Sequence, residues 1–269
     1  MRGIVRKPTG VKRKRHATKR ASSKRGKHLS NSRATRSKKP SRRPRTKESR
    51  AAKRALKKAV RKKSKPTKTK SSATAKATLR IKLRAARAAL SPAERQVAAA
   101  RVLANLAGLR LFRVSRRVAC YLPNDGEIDT SGIVERLWRM RQDVFLPVLS
   151  RLRHDRLWFA PATPGMQLVP NRFGIPEPRV AARALVRAQE IDLILLPLVA
   201  FDKNGNRLGR GAGFYDRSLA FLRHRRFLRT PHVIGLAYDF QRVPTIEPDP
   251  WDVALDGVVT DRSVYYAGS

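Results

Sequence analysis

The stretch "IDLILLPLVAFDKNGNRLGRGAGFYDRSL" (residues 191–219) joins the most apolar run of the chain to its densest group of glycines. Residues 191–197 are apolar at nearly every position without alternation, which predicts a strand buried on both faces of a sheet. Four glycines then fall within residues 204–213, and the pattern of residues 213–223 predicts a helix. A strand, a glycine-rich loop and a helix in this order are typical of an α/β fold, whose ligands bind beyond the carboxyl ends of the strands.

Predicted helices and strands also alternate along the rest of the chain. Helices are predicted at 76–90, 91–108, 131–141, 181–190 and 213–223, and strands at 116–122, 143–149, 156–161, 191–197, 232–238 and 255–261. The second helix has explicit start signals, because Ser91 can cap it, Pro92 suits its first position and Glu94 completes a capping box. Residues 163–178 are rich in proline and glycine and predict a loop. The alternation predicts a mostly parallel sheet flanked by helices on both sides.

The first 75 residues differ sharply in composition from the rest. They contain 31 of the 62 lysines and arginines and a single acid, whereas residues 76–269 contain the other 31 bases and 18 acids. With almost no large aliphatic residues, such a segment cannot offset a backbone entropy cost of roughly 1–2 kcal/mol per residue. We therefore predict a disordered basic tail at 1–75 and one folded domain at 76–269. Residues 49–63 have a thin apolar stripe that could form a basic helix on a polyanion.

Composition also excludes several classes of protein. Cys120 is the only cysteine, which rules out an intrachain disulfide and favours a reducing compartment. The longest apolar run, residues 191–201, is far shorter than the roughly 20 residues of a membrane span. No apolar signal segment follows Met1, although the Arg/Ser-rich, acid-poor tail leaves an organellar transit peptide open. We expect a cytoplasmic, monomeric protein that does not contact membranes.

The glycine loop has the chemistry of a phosphate site. Without Cβ atoms, Gly209, Gly211 and Gly213 allow main-chain N–H groups to approach a ligand closely. The helix that follows favours an anion at its N-terminus. Arg207 and Arg210 add forked donors that match phosphate oxygens. A polyphosphate is therefore the ligand that this loop favours.

Other interpretations of the loop remain open. The loop could be a tight chain reversal with Asn204–Gly205 as a hairpin turn. It lacks the lysine of a Walker loop, and a dinucleotide fingerprint would require a third glycine at Asp216. Asp216 itself suits Mg²⁺ beside a bound polyphosphate, or equally an acid that complements the helix dipole.

Five blocks of the sequence together resemble one known family. "FDKNGNRLG" (201–209) with "GNRLGRGAGFYDRSL" (205–219) is similar to the 5-formyltetrahydrofolate cyclo-ligase (methenyltetrahydrofolate synthetase) family. "KATLRIKLRAARAALSPAER" (76–95), "YLPNDGEIDT" (121–130), "NRFGIPEP" (171–178) and "VALDGVVTD" (253–261) occur in the order of that family. The resemblance covers about residues 76–262 and none of the basic tail.

The resemblance implies an activity, a fold and a nucleotide site. Members convert 5-formyltetrahydrofolate to 5,10-methenyltetrahydrofolate with Mg-ATP, on an α/β fold like that of sugar-phosphate isomerases and CoA-transferases. The ATP contacts that it implies are Lys76, Ala77, Thr78, Leu79 and Arg80, and Arg207, Leu208, Gly209, Arg210, Gly211, Ala212, Gly213, Phe214 and Tyr215. Some members have a lysine at the position of Ala212, which can offer only backbone contact here. Without the resemblance, Lys76 and Arg80 would equally suit a solvated basic stripe.

The resemblance also implies substrate and metal contacts. Leu122, Glu127, Phe173 and Tyr215 correspond to folate contacts, and Asp216 and Asp256 correspond to Mg²⁺ ligands. From the residues alone, Glu127 could be a solvated loop acid, Leu122 and Phe173 could be packing residues, and Asp256 could be an acid at the start of a strand. The alternative function is binding of a polyanion or nucleic acid by the tail, with an inactive α/β domain.

Overall fold

The computed structural model describes residues 70–149, 155–224 and 230–268. The predictions for residues 1–69, including the basic helix at 49–63, lie outside the described residues. The helices are α1 (Lys70–Ala88), α2 (Pro92–Gly108), α3 (Arg110–Val114), α4 (Ser131–Arg139) and α5 (Phe214–Ser218). The strands are β1 (Arg117–Ala119), β2 (Asp143–Leu149), β3 (Leu157–Pro161), β4 (Leu168–Pro170), β5 (Pro176–Pro178), β6 (Leu193–Pro197), β7 (Ala200–Phe201), β8 (Arg207–Leu208), β9 (His232–Leu236), β10 (Gly257–Val259) and β11 (Val264–Tyr266). Among these residues no helix is long and apolar enough to cross a membrane.

Seven strands form one twisted sheet in the order β11-β10-β9-β6-β1-β2-β3. The five central strands pair in parallel, and β3 and β11 add antiparallel edges. Helices cover the sheet, so the prediction of a mostly parallel sheet flanked by helices is confirmed. Two small hairpins, β4–β5 and β7–β8, lie apart from the main sheet.

The apolar run that predicts a central strand is buried on both faces. Leu193 and Leu195 pack into one hydrophobic cluster, with residues of α2, α3 and α4. Ile194 and Leu196 pack into a second cluster on the opposite face. Because successive side chains of a strand point to opposite faces, only a sheet covered on both sides can bury all four.

The first two helices show how local signals position the site. Ser91 caps α2, and its side chain and that of Glu94 complete the predicted capping box. Helix α1 begins at Lys70, earlier than residue 76, where the sequence predicts it. The helical segment therefore includes residues whose composition resembles the basic tail.

The sequence misses several short elements. Residues 163–178 contain the β4–β5 hairpin and not only a loop. The predicted helix at 181–190 is wrong, since the structure has single 3₁₀ turns at Ala182–Ala184 and Ala188–Glu190. Between these turns Val186 exchanges two backbone hydrogen bonds with Phe159 of β3, at 2.9 and 3.0 Å, which requires extended backbone there. The structure also contains helix α3 and strand β11, which the sequence does not predict.

The connectivity of the sheet creates a binding crevice. Strand β1 has β2 on one side and β6 on the other, and the chain reaches β6 only after completing β2 and β3. Such a topological switch point leaves a crevice beyond the carboxyl ends of the strands. Leu122 follows β1, and Pro197 ends β6. Both residues line the main cavity.

Candidate active site

A cavity of about 590 Å³ lies at the carboxyl ends of the central strands. Its walls come from α1, from the loop that follows β1, from the β2–β3 and β4–β5 regions, from the glycine loop and from residues 249–252. Distant parts of the chain therefore meet at one place. Most of the site residues that the resemblance implies lie in this wall.

The glycine loop divides into a hairpin turn and a cavity wall. Gly205, with φ of 78°, lies in the connection between β7 and β8. A Cβ there would lie 2.7 Å from the carbonyl oxygen of Leu255, so only glycine fits without movement. Gly211 and Gly213 also have positive φ, and with Gly209 they line the cavity. Asn204–Gly205 therefore lies in the turn of a hairpin, as one interpretation predicts. Residues 209–213 line the cavity, where a phosphate group could bind.

Arg207 is committed to the protein. Its side chain is 5% exposed, and Nη2 donates a hydrogen bond to Asp216 Oδ1 at 2.5 Å. Nη1 donates to the carbonyl oxygen of Val253. Although Arg207 lines the cavity, these contacts make it a residue that fixes Asp216. Arg210 is exposed and also lines the cavity, so it is the better placed of the two for a phosphate.

Helix α1 presents two cations to the cavity. Lys76 Nζ lies 3.3 Å from Asp249 Oδ2. Arg80 Nε donates to the carbonyl oxygen of Gly209 at 2.9 Å, and burial lowers the pKa of this guanidinium. Ala77, Thr78 and Leu79 do not line the cavity, because the helix turns them away from it. Leu79 packs instead against a small hydrophobic cluster that contains Leu83, Val199, Ala200, Leu208 and Ile246.

Glu127 is a buried acid in the cavity wall. Its Oε2 accepts a hydrogen bond from the backbone N–H of Asn124 at 3.2 Å. Burial raises the pKa of Glu127, and the nearby positive charge of Arg87 opposes that rise. The description of Glu127 as a solvated loop acid is therefore wrong. A buried carboxylate facing a cavity is suited to pair with N–H groups of a ligand.

Apolar and aromatic side chains line the same cavity near Glu127. Leu122 is half-buried, whereas Phe173 is 55% exposed and contacts Phe214 edge to face, with ring centroids 6.0 Å apart. The pKa of Tyr215 is raised by burial and then by the negative charge of Glu127. Asn171 holds the turn that carries Phe173, since its Oδ1 accepts from the N–H of Phe173 at 2.8 Å.

Asp256 lies away from the other assigned residues. Its Oδ2 accepts from the backbone N–H of Val233 at 2.7 Å and lies 3.5 Å from His232 Nδ1, near the start of β9. This is toward the opposite edge of the sheet from the cavity, and Asp256 does not line it. Of the two acids predicted as metal ligands, Asp216 therefore lines the cavity and Asp256 does not.

Sequence reasoning misses the acidic loop that does reach the cavity. Asp249, Trp251 and Asp252 line it beside Asp216. Burial raises the pKa of Asp252, and the negative charges of Asp216 and Asp249 raise it further. Two acids around a tryptophan in "PDPWD" (248–252) were a usable signal. Among the described residues, no group of three or more His, Cys, Asp or Glu side chains is close enough to hold a metal ion.

A doubly wound sheet with a glycine loop and a buried carboxylate at its carboxyl edge defines an α/β protein of a small-molecule-binding class. The chain belongs to the 5-formyltetrahydrofolate cyclo-ligase family, since the model of that family matches residues 72–261.

Curated relatives and solved structures agree with this assignment. The 5-formyltetrahydrofolate cyclo-ligase of Escherichia coli K12 is 36% identical over 183 residues, which is 68% of this chain and 98% of the relative. That of Haemophilus influenzae is 36% identical over 176 residues, or 65% and 92%. The 5,10-methenyltetrahydrofolate synthetase of Aquifex aeolicus has a TM-score of 0.61 and 32% identity, covering 72% of this chain and 93% of that chain. That of Mycoplasma pneumoniae has a TM-score of 0.54 and 28% identity, covering 69% and 98%.

Proposed function

We propose that this protein is a 5-formyltetrahydrofolate cyclo-ligase that uses ATP to form 5,10-methenyltetrahydrofolate, ADP and phosphate. The observation that carries the proposal is one cavity lined by both the glycine loop and the buried Glu127. The loop suits a polyphosphate, and Glu127 suits the amino and ring N–H groups of a pterin. A nucleotide and a folate can therefore meet in the same crevice.

The reaction explains why a nucleotide is needed. A formamide oxygen is a poor leaving group, so the γ-phosphoryl group is transferred from ATP to that oxygen and ADP is released. The N10 lone pair then attacks the formyl carbon, N10 releases its proton, the carbon–oxygen bond breaks, and inorganic phosphate leaves with the bonding electrons. The protein contributes positioning and stabilisation of charge on the transferring group.

The nucleotide is proposed to bind along the glycine loop, from Arg207 to Tyr215. Backbone N–H groups of residues 209–213 would contact its phosphates, and the exposed Arg210 would pair with them. Lys76 and Arg80 would contribute from α1, where Arg80 also holds the loop through the Gly209 carbonyl.

The folate is proposed to bind at the other wall. Glu127 would accept hydrogen bonds from the pterin, while Leu122, Phe173 and Tyr215 would cover its ring. The exposure of Phe173 and its lining of the cavity support a role in stacking and not in core packing.

The family activity also implies Mg²⁺, which proteins usually hold with one or two carboxylates together with substrate phosphates, so a cluster of three acids is not required for it. Asp216, Asp249 and Asp252 are carboxylates in the same wall, and Mg²⁺ prefers hard oxygen ligands. Burial raises the pKa of Asp252 most, and the negative charges of Asp216 and Asp249, which a bound cation would offset, raise it further. Mg²⁺ bound there would neutralise phosphate charge. Asp256 lies outside this wall, so we assign it no ligand role.

The decisive experiment follows the methenyl product by its absorbance, with the full-length protein, 5-formyltetrahydrofolate and Mg-ATP. Arg210→Ala is expected to reduce turnover by about 10²–10³-fold, and Glu127→Gln to raise the folate KM. Arg101→Ala, an exposed position on α2 outside the cavity, is the matched control and should leave both constants unchanged. A folded wild-type protein without turnover would refute the proposal.

A second function is proposed for residues 1–75. Their 31 bases against one acid favour binding of polyanions through phosphate charge, without sequence preference. Such binding is compatible with catalysis by residues 76–269. We further propose that the enzyme acts as a monomer in the cytoplasm. The single cysteine, Cys120, is buried and free, which is consistent with a reducing compartment.

A further inference from the structure

Arg87 is a buried arginine beneath the loop that carries Glu127. It extends from α1, and its side chain is 1% exposed. Nη2 donates to Asp125 Oδ2 at 3.0 Å, and Nη1 donates to the carbonyl oxygen of Leu198 at 3.4 Å. Nη1 also lies 4.0 Å from Glu127 Oε1. One guanidinium therefore connects α1, the end of β6 and both acids of the "NDGE" segment (124–127).

The loop packs closely on this arginine. Gly126 has φ of 71°, and a Cβ built there would lie 3.4 Å from the carbonyl oxygen of Arg87 and 3.7 Å from its Cβ. Asp125 also has positive φ, at 58°. Two consecutive residues in the left-handed region give the loop a sharp turn, and the ion pair to Asp125 fixes that turn against α1.

Glu127 depends on its surroundings to stay ionised. The charged and titratable groups around it are Arg87 and the more exposed Arg84 from α1, Asp125 from its own loop, Arg210 from the glycine loop, Tyr121 after β1 and Tyr215 from α5. Burial raises the pKa of Glu127, and the charge of Arg87 is the largest influence in the opposite direction. Arg210 contributes less and is exposed to solvent.

We propose that Arg87 is a positioning residue for the folate: it holds the "NDGE" loop and pairs with Glu127, so that the carboxylate faces the cavity ready to accept hydrogen bonds. This inference rests on the proposed function, because it assigns Arg87 to the substrate contact of that reaction. A planar guanidinium can reach Asp125 and Glu127 with separate nitrogens, which a single ammonium cannot do.

Removal of Arg87 has a predictable sign. Glu127 remains buried without the positive charge of Arg87, so its pKa rises further and a larger fraction is protonated at any given pH. A protonated carboxyl loses acceptor capacity toward the pterin, and folate binding weakens as the pH falls. An opposite charge at this distance shifts a pKa by about 1–3 units. We expect the pH profile of the folate KM to move toward higher pH.

The test compares Arg87→Met with Arg84→Met in the full chain. Arg84 also pairs with Asp125, at 2.7 Å, but its side chain is 48% exposed, and the negative charge of Glu127 is the weakest influence on its pKa. For Arg87→Met we expect the folate KM to exceed the wild-type value by about tenfold or more at the acidic end of the profile and to approach it at the alkaline end. The ATP KM should stay unchanged. Calorimetric binding of 5-formyltetrahydrofolate without ATP should show the same pH dependence, whereas Arg84→Met should shift the profile much less, because solvent screens the charge of Arg84.

A second background separates positioning from a general loss of structure. In Glu127→Gln, which cannot ionise, adding Arg87→Met should introduce no new pH dependence. If Arg87→Met does not fold, Arg87→Lys replaces it, with a smaller shift of the pH profile in the same direction. An equal, pH-independent loss in both backgrounds would overturn the inference, as would a wild-type profile in the folded variant. Absence of turnover in the wild-type protein would instead refute the proposed function.

Discussion

Replacing Arg207 by methionine is expected to destabilise the folded domain by about 3 kcal/mol. The guanidinium is 5% exposed and donates to Asp216 and to the carbonyl oxygen of Val253. Methionine fills much of the volume but leaves the Asp216 carboxylate without its cation. Removing one partner of a buried pair typically costs about 3–5 kcal/mol, and the 22% exposure of Asp216 favours the lower value. For a domain of this size, the Tm should fall by about 6–12 °C.

Urea and thermal denaturation followed by circular dichroism measure this effect. Arg210→Met is the matched control, because Arg210 lies on the same loop but is exposed. It should keep wild-type stability while losing ATP-dependent turnover. The double variant Arg207→Met/Asp216→Asn should recover part of the stability, since no unpaired charge remains. Wild-type stability of Arg207→Met, or a double variant less stable than either single one, would refute the reasoning.

Three further outcomes follow from the structure. Asp252→Asn should stabilise the protein slightly at pH 7, because burial and neighbouring acids raise the pKa of Asp252 and penalise its charged form. Urea denaturation at a series of pH values measures the free energy of unfolding. The advantage of the variant should disappear as the pH falls and the native Asp252 carboxyl becomes protonated, because the charge that it removes is then absent from the wild type as well. Gly205→Ala should cost more stability than Gly165→Ala, since both glycines have positive φ but only Gly205 has a carbonyl oxygen, that of Leu255, 2.7 Å from the added Cβ. Equal losses would show that the close contact is unimportant. For the full-length protein, log K of DNA binding should fall with log salt at a slope of about −7, as for roughly eight phosphates. Deleting residues 1–69 should abolish this binding. A truncated protein that binds DNA with the same slope would contradict a binding site in the tail.

The fold was largely predictable because its strongest signals are local. The apolar run at 191–197 can be buried in few ways, and Ser91 with Glu94 marks a helix start by hydrogen bonds within one turn. The failures have tertiary causes. Residues 181–190 have helical composition, yet pairing of Val186 with Phe159 requires extended backbone. No local pattern encodes a partner that lies 27 residues earlier.

The site was predictable as a set of segments but not in the role of each side chain. Four of the five ordered blocks locate the cavity, since the fold brings α1, the loop after β1, the β4–β5 hairpin and the glycine loop to one place; no residue of the fifth block, 253–261, lines the cavity. Whether an arginine binds a ligand or the protein depends on what faces it, and Arg207 faces Asp216. Asp252 reaches the cavity through a loop whose path no periodicity predicts. Asp256 directly precedes β10 and therefore lies at the amino end of that strand, whereas the cavity lies at the carboxyl ends of the strands.

The start of α1 decides how the tail can be separated from the enzyme. Composition puts the boundary at residue 75, but the helix already includes Lys70. Its cavity-facing residues, Lys76 and Arg80, contact Asp249 and the Gly209 carbonyl. A deletion through residue 75 would leave Lys76 at a fraying terminus, because the first turn of a helix has unsatisfied N–H groups and forms at high cost. Weakened ATP binding in that variant would reflect the lost turn and not a catalytic role of the tail. A deletion through residue 69 keeps the whole helix, and so it tests the tail alone.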